Sequence, residues 1–440
     1  MHPSLSVQTT TLRTLRFRLI PFLFLLYIVC YLDRVNVGFA ALEMNRDLGF
    51  SPSVYGFGAG VFFLGYALLE VPSNLLLSRV GARRWIARIM ISWGVLASAM
   101  ALVRGPRSFY ILRFLLGAAE AGFFPGIIFY LSQWFPAGER SRANAAFLTA
   151  IPISGILGSP ISGALLEMDG TFGLRGWQWL FVVEGIPSVL LGVVVLWHLT
   201  DRPSEAKWLS LEQRRWLAER MLQEQRQRKI HHDLNVRRAL TNGTVWQLAL
   251  VAFTIQIGLY SLTLWLPQFV RALFDLNEAM IGVLTAVPYV LTATAMITVG
   301  MHASGFNHQI WHVTLLLVAA AFGFAASAYL HSPVAALLAL SVTLAGVLSA
   351  LGPFWSFPSA FLSNSAAAAG IAMINSVAAI SGFVGPYLVG LLNESNDSYR
   401  TSFLMLAFVT LVGATIILRL HRLFASLGTP LAAAPRVGGG

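Results

Sequence analysis

The sequence predicts an all-α membrane protein of twelve transmembrane helices, in two six-helix bundles related by pseudo-two-fold symmetry. Three observations predict it. Of 440 residues, 56% are hydrophobic and only 11% charged, whereas a soluble domain carries about a quarter charged residues. Apolar stretches near the roughly 20 residues that cross a bilayer recur along the whole length. A charged segment divides them into two sets of six, and the fifth stretch of each set carries the same motif.

The elements follow in order. Spans are expected near 19–41, 54–77, 86–103, 107–131, 143–167 and 178–200, then near 244–271, 279–301, 311–330, 334–357, 367–392 and 401–421. The first six form an N-terminal bundle, 1–200, and the second six a C-terminal bundle, 244–422. Between them lies a cytoplasmic linker, 201–243, which includes Arg214-Arg215 and His231-His232. The Ala-, Pro- and Gly-rich tail, 423–440, is expected to be disordered. The fifth span reads Ile153-Ser154-Gly155, with Gly158 and Pro160 following; the eleventh reads Ile380-Ser381-Gly382, with Gly385 and Pro386 following. Such parallel repeats mark transporters, and small residues of this kind also let helices approach closely.

The net charge of +11 reads as topology rather than as affinity for nucleic acid, because Lys and Arg collect in cytoplasmic loops. With both termini inside, 22 of the 30 Lys and Arg residues fall on the cytoplasmic side, six fall outside, and Arg34 and Arg113 lie within spans. The expected location is therefore a bacterial inner membrane with both termini cytoplasmic, the chain acting as a single copy. Arg13, Arg16 and Arg18 lead straight into a full-length span, unlike a cleaved signal. Cys30 is the only cysteine, so no intramolecular disulfide or cysteine metal cluster is expected. His231-His232 lacks further ligands at zinc spacing. No nucleophile elbow or phosphate-binding glycine loop appears, which excludes the common enzyme and ATP-driven classes.

An ionisable side chain within a span costs at least about 2.5 kcal/mol on insertion scales, so it marks a pathway or a relay. Six occur, all in the first half: Asp33, Arg34, Glu70, Arg113, Glu120 and Glu184. Polar candidates of the second half are neutral, among them Gln256, Tyr260, Trp265, Asn364, Asn375 and Ser376. At about 1.5 Å per residue, Asp33 sits roughly 20 Å from the inner end of its span and Arg113 roughly 9 Å from the outer end of its own. In a hydrocarbon slab about 30 Å thick these depths nearly coincide, so Asp33 or Arg34 is expected to face Arg113. That pairing fits either a transport site or a fixed ion pair between two helices. Glu120 lies two turns deeper on the Arg113 face. Asp33 and Glu120 are the candidate proton carriers. Arg34 points about 100° away from Asp33, and its planar fork suits a substrate carboxylate. Glu70 and Glu184 are expected to pair with loop charges or helix ends. Tyr31 and Tyr66 are possible cavity residues.

Particular residues carry a resemblance. Tyr31-Leu-Asp-Arg34 with Asn36 and Gly38, Glu70-Val-Pro-Ser-Asn74, Arg113 through Glu120 to Pro125, and Trp177-Gln-Trp-Leu-Phe181 resemble the anion:cation symporter family of the major facilitator superfamily. Within it the chain is most similar to tartrate transporters and, more distantly, to sugar-acid (galactonate-type) symporters. The resemblance implies the major facilitator fold and proton-driven uptake of an organic anion by alternating access, with the proton as coupling ion and no other cofactor. It implies proton handling at Asp33 and Glu120, pairing of Arg113 with Asp33, and substrate contacts from Arg34, Tyr31 and Tyr66. The sequence departs from the superfamily pattern in two loops. Ser78 stands where an acidic residue is usual, and 300–308 lacks Lys, Arg, Asp and Glu. Both departures weaken the expected cytoplasmic clasp.

The function expected is therefore proton-coupled symport of an organic carboxylate, such as a tartrate-like hydroxy-dicarboxylate or a sugar acid. Gln256, Tyr260, Trp355 and Asn375 are expected to complete the substrate site from the second half. Anion exchange without net proton coupling, aromatic-acid uptake using Tyr260, Trp265 and Trp355, and a non-transporting sensor of the same fold are the alternatives.

Overall fold

A computed structural model describes residues 5–229, 241–302, 306–358, 364–396 and 398–426. His231-His232, the centre of the 300–308 loop and residues 427–440 of the tail lie outside the described residues. Local signals set the helix ends. Ser51 caps α2 (Pro52–Val80), its hydroxyl accepting from Val54 N–H at 3.4 Å, and Pro52 opens the helix. A capping side chain and a leading proline both suit orphan donors at a helix start. Ser332 and Pro333 repeat this device far along the chain.

The described residues of the first half form α1 (Leu5–Leu48), α2, α3 (Ala82–Ala99), α4 (Pro106–Glu120), α5 (Phe123–Trp134), α6 (Ala137–Leu148), α7 (Ala150–Leu166) and α8 (Gly176–His198). After α9 (Leu211–Lys229) come α10 (Gly243–Leu273), α11 (Glu278–His302), α12 (Phe306–Ser327), α13 (Pro333–Phe354), α14 (Asn364–Asn396) and α15 (Arg400–Ser426). Twelve segments among the described residues are long and apolar enough to cross a membrane. They match the expected spans one for one. Spans four and five are each built from two helices, α4 with α5 and α6 with α7.

The break in span four is local chemistry. Ala121 leaves helical geometry and Gly122 turns left-handed at φ 87°, which suits glycine alone among common residues. The carbonyl of Ala121 accepts from Ser73 Oγ at 2.6 Å, and Ser73 Oγ in turn accepts from Trp85 Nε1 at 3.0 Å. A backbone group freed inside a membrane is thus satisfied by a neighbouring helix.

Two compact units result. One holds the described residues through α9 together with residues 264–287; the other holds residues 241–263 and those from 288 onward. The boundary does not follow the sequence boundary at the linker. Residues 264–287 join the first unit through particular contacts. Tyr55 OH donates to Leu264 O at 2.6 Å, and Glu167 accepts from Ala279 N–H at 3.2 Å. Gly163 faces Gly282, where an added Cβ would sit 2.9 Å from the Gly282 Cα.

The repeated motif does equivalent work in each unit. A Cβ on Gly158 would lie 1.8 Å from Leu32 of α1, and one on Gly385 would lie 2.3 Å from Ser261 of α10. Ser154 and Ser381 each return a hydroxyl bond to the carbonyl three residues back. The fifth span thus packs on the first as the eleventh packs on the seventh. In the second unit, Val245, Leu248 and Ile255 of α10 form a core with residues of α12 to α15 such as Leu317, Phe354, Ile374 and Ile417.

Helices α2 and α4 meet through glycines. A Cβ on Gly117 would lie 1.9 Å from the backbone oxygen of Phe62. Backbone cannot yield as a flexible side chain can, and overpacking costs about 1–3 kcal/mol. Gly117→Ala is expected to lower the thermal midpoint of the purified protein clearly. Gly300→Ala, where an added methyl meets nothing within 4 Å, is the matched control and is expected to change it little.

At the foot of α2 the absence of an acid at Ser78 is made good from elsewhere. Asp201 Oδ1 accepts from Arg83 N–H at 2.8 Å and its other oxygen lies 3.9 Å from Arg83 Nε. A carboxylate at the first turn of α3 is favoured by the helix dipole. The loop is therefore held by an acid from beyond α8, some 120 residues away in sequence.

Candidate functional site: a buried charge cluster

The first unit buries Asp33, Arg34, Arg113, Glu120 and Glu184, none of them more than 7% exposed. Each is placed by helix packing. A Cβ on Gly94 of α3 would lie 2.8 Å from the Ser188 Cβ of α8. That approach sets Trp93 and Ser188 side by side, and both donate to Asp33 Oδ2, Trp93 Nε1 at 2.6 Å. Asp33 Oδ1 is buried with no hydrogen bond among the described residues. Asp33 thus sits between α3 and α8, held by two neutral donors.

Arg34, one residue on, turns to the other side of α1. Its Nε lies 3.1 Å from Glu120 Oε1 and its Nη2 donates to the same oxygen. Cys30, one turn earlier on α1, directs its thiol at that oxygen from 3.3 Å. Glu120 is the last residue of α4, so the break at Ala121 and Gly122 fixes its position. Its Oε2 is buried with no hydrogen bond among the described residues. The Arg34 guanidinium also lies 5.7 Å from the Phe62 ring and 5.5 Å from the Tyr66 ring, within cation–π range.

Arg113 is fully buried. It donates to Gly58 O at 3.3 Å and Ala59 O at 3.0 Å, and its guanidinium lies 4.9 Å from the centre of the Phe62 ring. This corrects the expected charge pairing. Arg113 makes no ion pair with Asp33; Arg34 pairs with Glu120 instead. The reason is rotation. Asp33 faces Trp93 of α3 and Ser188 of α8, while Arg113 faces the carbonyls of Gly58 and Ala59 on α2.

Glu184 also departs from expectation. It is no partner of loop charges. It accepts from Ser162 Oγ at 2.6 Å, and its Oε2 is buried with no hydrogen bond among the described residues. It stands one helical turn from Ser188, the Asp33 donor, on the same face of α8. The signal was available: Glu184 enters its span from the outer end by the same six residues as Arg113 does. Trp93 and Ser188 carried no such signal, since neither is ionisable. Glu70, by contrast, is half-buried near the end of α2, its carbonyl accepting from Asn74 Nδ2 at 2.8 Å.

Of the aromatic candidates, Tyr31 is buried on α1, its ring 6.4 Å from Tyr27. Tyr66 is half-buried beside Arg34. Trp265 is fully buried, edge-on to Tyr55 at 4.8 Å, and is a packing residue. Gln256, Tyr260, Trp355 and Asn375 belong to the second unit, where each is half-buried. Trp355 packs edge-on against Phe354 at 5.5 Å. Among the described residues no group of three or more His, Cys, Asp or Glu could hold a metal ion.

A family model, the Major Facilitator Superfamily, matches residues 23–386. The chain belongs to the major facilitator superfamily. It is 49% identical to a "Putative tartrate transporter" of Agrobacterium vitis over 94% of this chain and 92% of that one. It is 41% identical to a "Quinolone resistance transporter" of Acinetobacter baumannii, over 92% of this chain and 94% of that one. Its fold is similar to that of a bacterial homologue of the human lysosomal transporter Spinster, solved inward-facing and unoccupied. The TM-score is 0.77 at 16% identity, covering 98% of this chain and 100% of that one. The superfamily comprises membrane transporters, not enzymes, and this member is accordingly a multi-pass membrane transporter of the major facilitator fold.

Proposed function

We propose that this transporter is a proton-coupled symporter of a small organic carboxylate, with a tartrate-like hydroxy-dicarboxylate as the leading substrate. The observation that carries the reading is the buried Arg34–Glu120 pair. A substrate carboxylate that takes the Arg34 fork must displace Glu120. A displaced Glu120 in a low-dielectric site is balanced by binding a proton, because an unpaired buried charge is costly. Substrate and proton then enter together and leave together. Asp33, held by neutral donors on the other side of α1, is the second proton carrier. The cluster contains three carboxylates and two guanidiniums, so one proton makes it electrically neutral.

In this reading Arg34, Tyr66 and Tyr31 are the substrate residues of the first unit, and Gln256, Tyr260, Trp355 and Asn375 those of the second. The charge bias of the loops favours both termini in the cytoplasm, and the 41% identity to an "Inner membrane transport protein" of Escherichia coli favours a bacterial inner membrane. The 49% identity to a protein named for tartrate favours that substrate, whereas the relative named for quinolone resistance makes a direct test necessary.

The test is uptake of labelled tartrate into proteoliposomes. An inwardly directed proton gradient is expected to drive accumulation above the external concentration, abolished by a protonophore. Equilibration without accumulation, together with efficient tartrate-for-tartrate counterflow, establishes exchange instead. Competition by a panel of hydroxy-dicarboxylates, sugar acids, aromatic acids and a quinolone then ranks substrate classes.

A further inference from the structure

The N-terminal helix begins well before the first expected span. Residues 5–18 precede the apolar span and carry Arg13, Arg16 and Arg18. Beside this extension lies an open groove of about 920 Å³. Its walls are the start of α1, His198 at the end of α8, and Trp208 in the stretch leading to α9. It is remote from the charge cluster, which occupies the buried middle of the same unit.

Two chemistries divide the groove along its length. Arg13 and Arg18 stand at the end that the loop charges assign to the cytoplasm. Phe17 lies between them, and Phe22 and Leu25 continue the groove into the span. From Arg18 to Leu25 is seven residues, about 10 Å along a helix. That lies within one leaflet of a hydrocarbon core about 30 Å thick. Phe17 is 72% and Leu25 44% exposed, so the groove opens sideways.

The arginines are not spent on the protein. Arg16 pairs with Glu139, but Arg13 and Arg18 make no ion pair among the described residues, and no carboxylate lines the groove. Arg18 Nε is buried with no hydrogen bond, and its guanidinium stacks over Trp208 at 5.0 Å. Trp208 is itself fixed, by stacking on Trp134 at 5.4 Å and by donating to Thr200 Oγ1 at 3.4 Å. Two cations with an ordered aromatic wall above an apolar slot match an anionic headgroup with its acyl chain.

We propose that this groove is a binding site for an anionic phospholipid, its phosphate held by Arg13 and Arg18 and an acyl chain lying along Phe22 and Leu25. A free phosphate uses only the upper half of the groove, and a zwitterionic lipid leaves both cations uncompensated. Basic residues at the membrane surface attract anionic lipid at about 1 kcal/mol each, and a fixed site adds geometry to that attraction.

Thermal unfolding of the full-length protein in detergent tests it, with phosphatidylglycerol, phosphatidylcholine of the same chains, or inorganic phosphate added. Phosphatidylglycerol is expected to raise the midpoint by several degrees and the other two to leave it nearly unchanged. Arg13→Gln with Arg18→Gln is expected to remove most of that shift, while Arg104→Gln with Arg107→Gln, on the opposite side, keeps it. Should the double variant not fold, Arg13→Gln alone, at an exposed position, is expected to lower the retention of phosphatidylglycerol in native mass spectra. Equal stabilisation by phosphatidylcholine, an unchanged shift in the variants, or a full shift with inorganic phosphate overturns the lipid site. None of these outcomes depends on what is transported.

Discussion

Arg34→Ala is expected to abolish transport and to destabilise the purified protein by about 3–5 kcal/mol, the cost of removing one partner from a buried ion pair. The variant leaves the Glu120 carboxylate in a membrane interior with only the Cys30 thiol directed at it. Glu120→Gln is expected to cost less, because the amide keeps a carbonyl for Arg34 to bond. Arg34→Met with Glu120→Met removes both charges, and much of the lost stability is expected to return, since apolar residues of similar volume replace buried pairs well. Transport does not return with it. Thermal unfolding of all four proteins closes a double-mutant cycle, and simple additivity of the two single losses contradicts the pairing. The split between recovered fold and unrecovered uptake separates a working ion pair from a brace.

Asp33→Asn is expected to reduce accumulation driven by a proton gradient at least tenfold while tartrate counterflow stays within about twofold of wild type. A tenfold loss corresponds to about 1.4 kcal/mol. Asparagine preserves the shape of the side chain, and its carbonyl accepts from Trp93 as the carboxylate does, so the α3–α8 contact survives. What it cannot do is gain or lose a proton. Parallel loss of both activities makes Asp33 a structural residue. Full retention of gradient-driven accumulation moves the second proton elsewhere, and Glu184 is then the first residue to replace, being buried one turn from Ser188 on the same helix face.

Much of this protein was legible before its structure. The twelve spans, the charged divider after 200 and the repeated motif at Gly158 and Gly385 all follow from local composition. A lipid interior forces each apolar stretch of about 20 residues into a helix whatever its neighbours are. The concentration of buried charge in the first half was equally plain, because no soluble surface is available to take those residues.

The pairings were not legible. Depth along a span comes from counting residues, and it does not say which side chains meet: Arg34 pairs with Glu120, two turns beyond Arg113 on α4. Which residues then touch depends on the rotation of each helix about its axis, where one residue is about 100°. That rotation is set by close approaches such as Gly94 to Ser188 and Gly117 to Phe62, which lie between helices distant in sequence. So Asp33 met Trp93 and Ser188, Arg113 met the carbonyls of α2, and Arg34 met Glu120 at a break the apolar pattern does not announce. The same holds for the acid missing at Ser78, supplied by Asp201, and for residues 264–287, which pack with the first unit rather than the second. Sequence alone determined what crosses the membrane and which charges it carries there. The tertiary structure alone decided which charges meet, because partner choice is a property of helix faces in contact and not of any one helix.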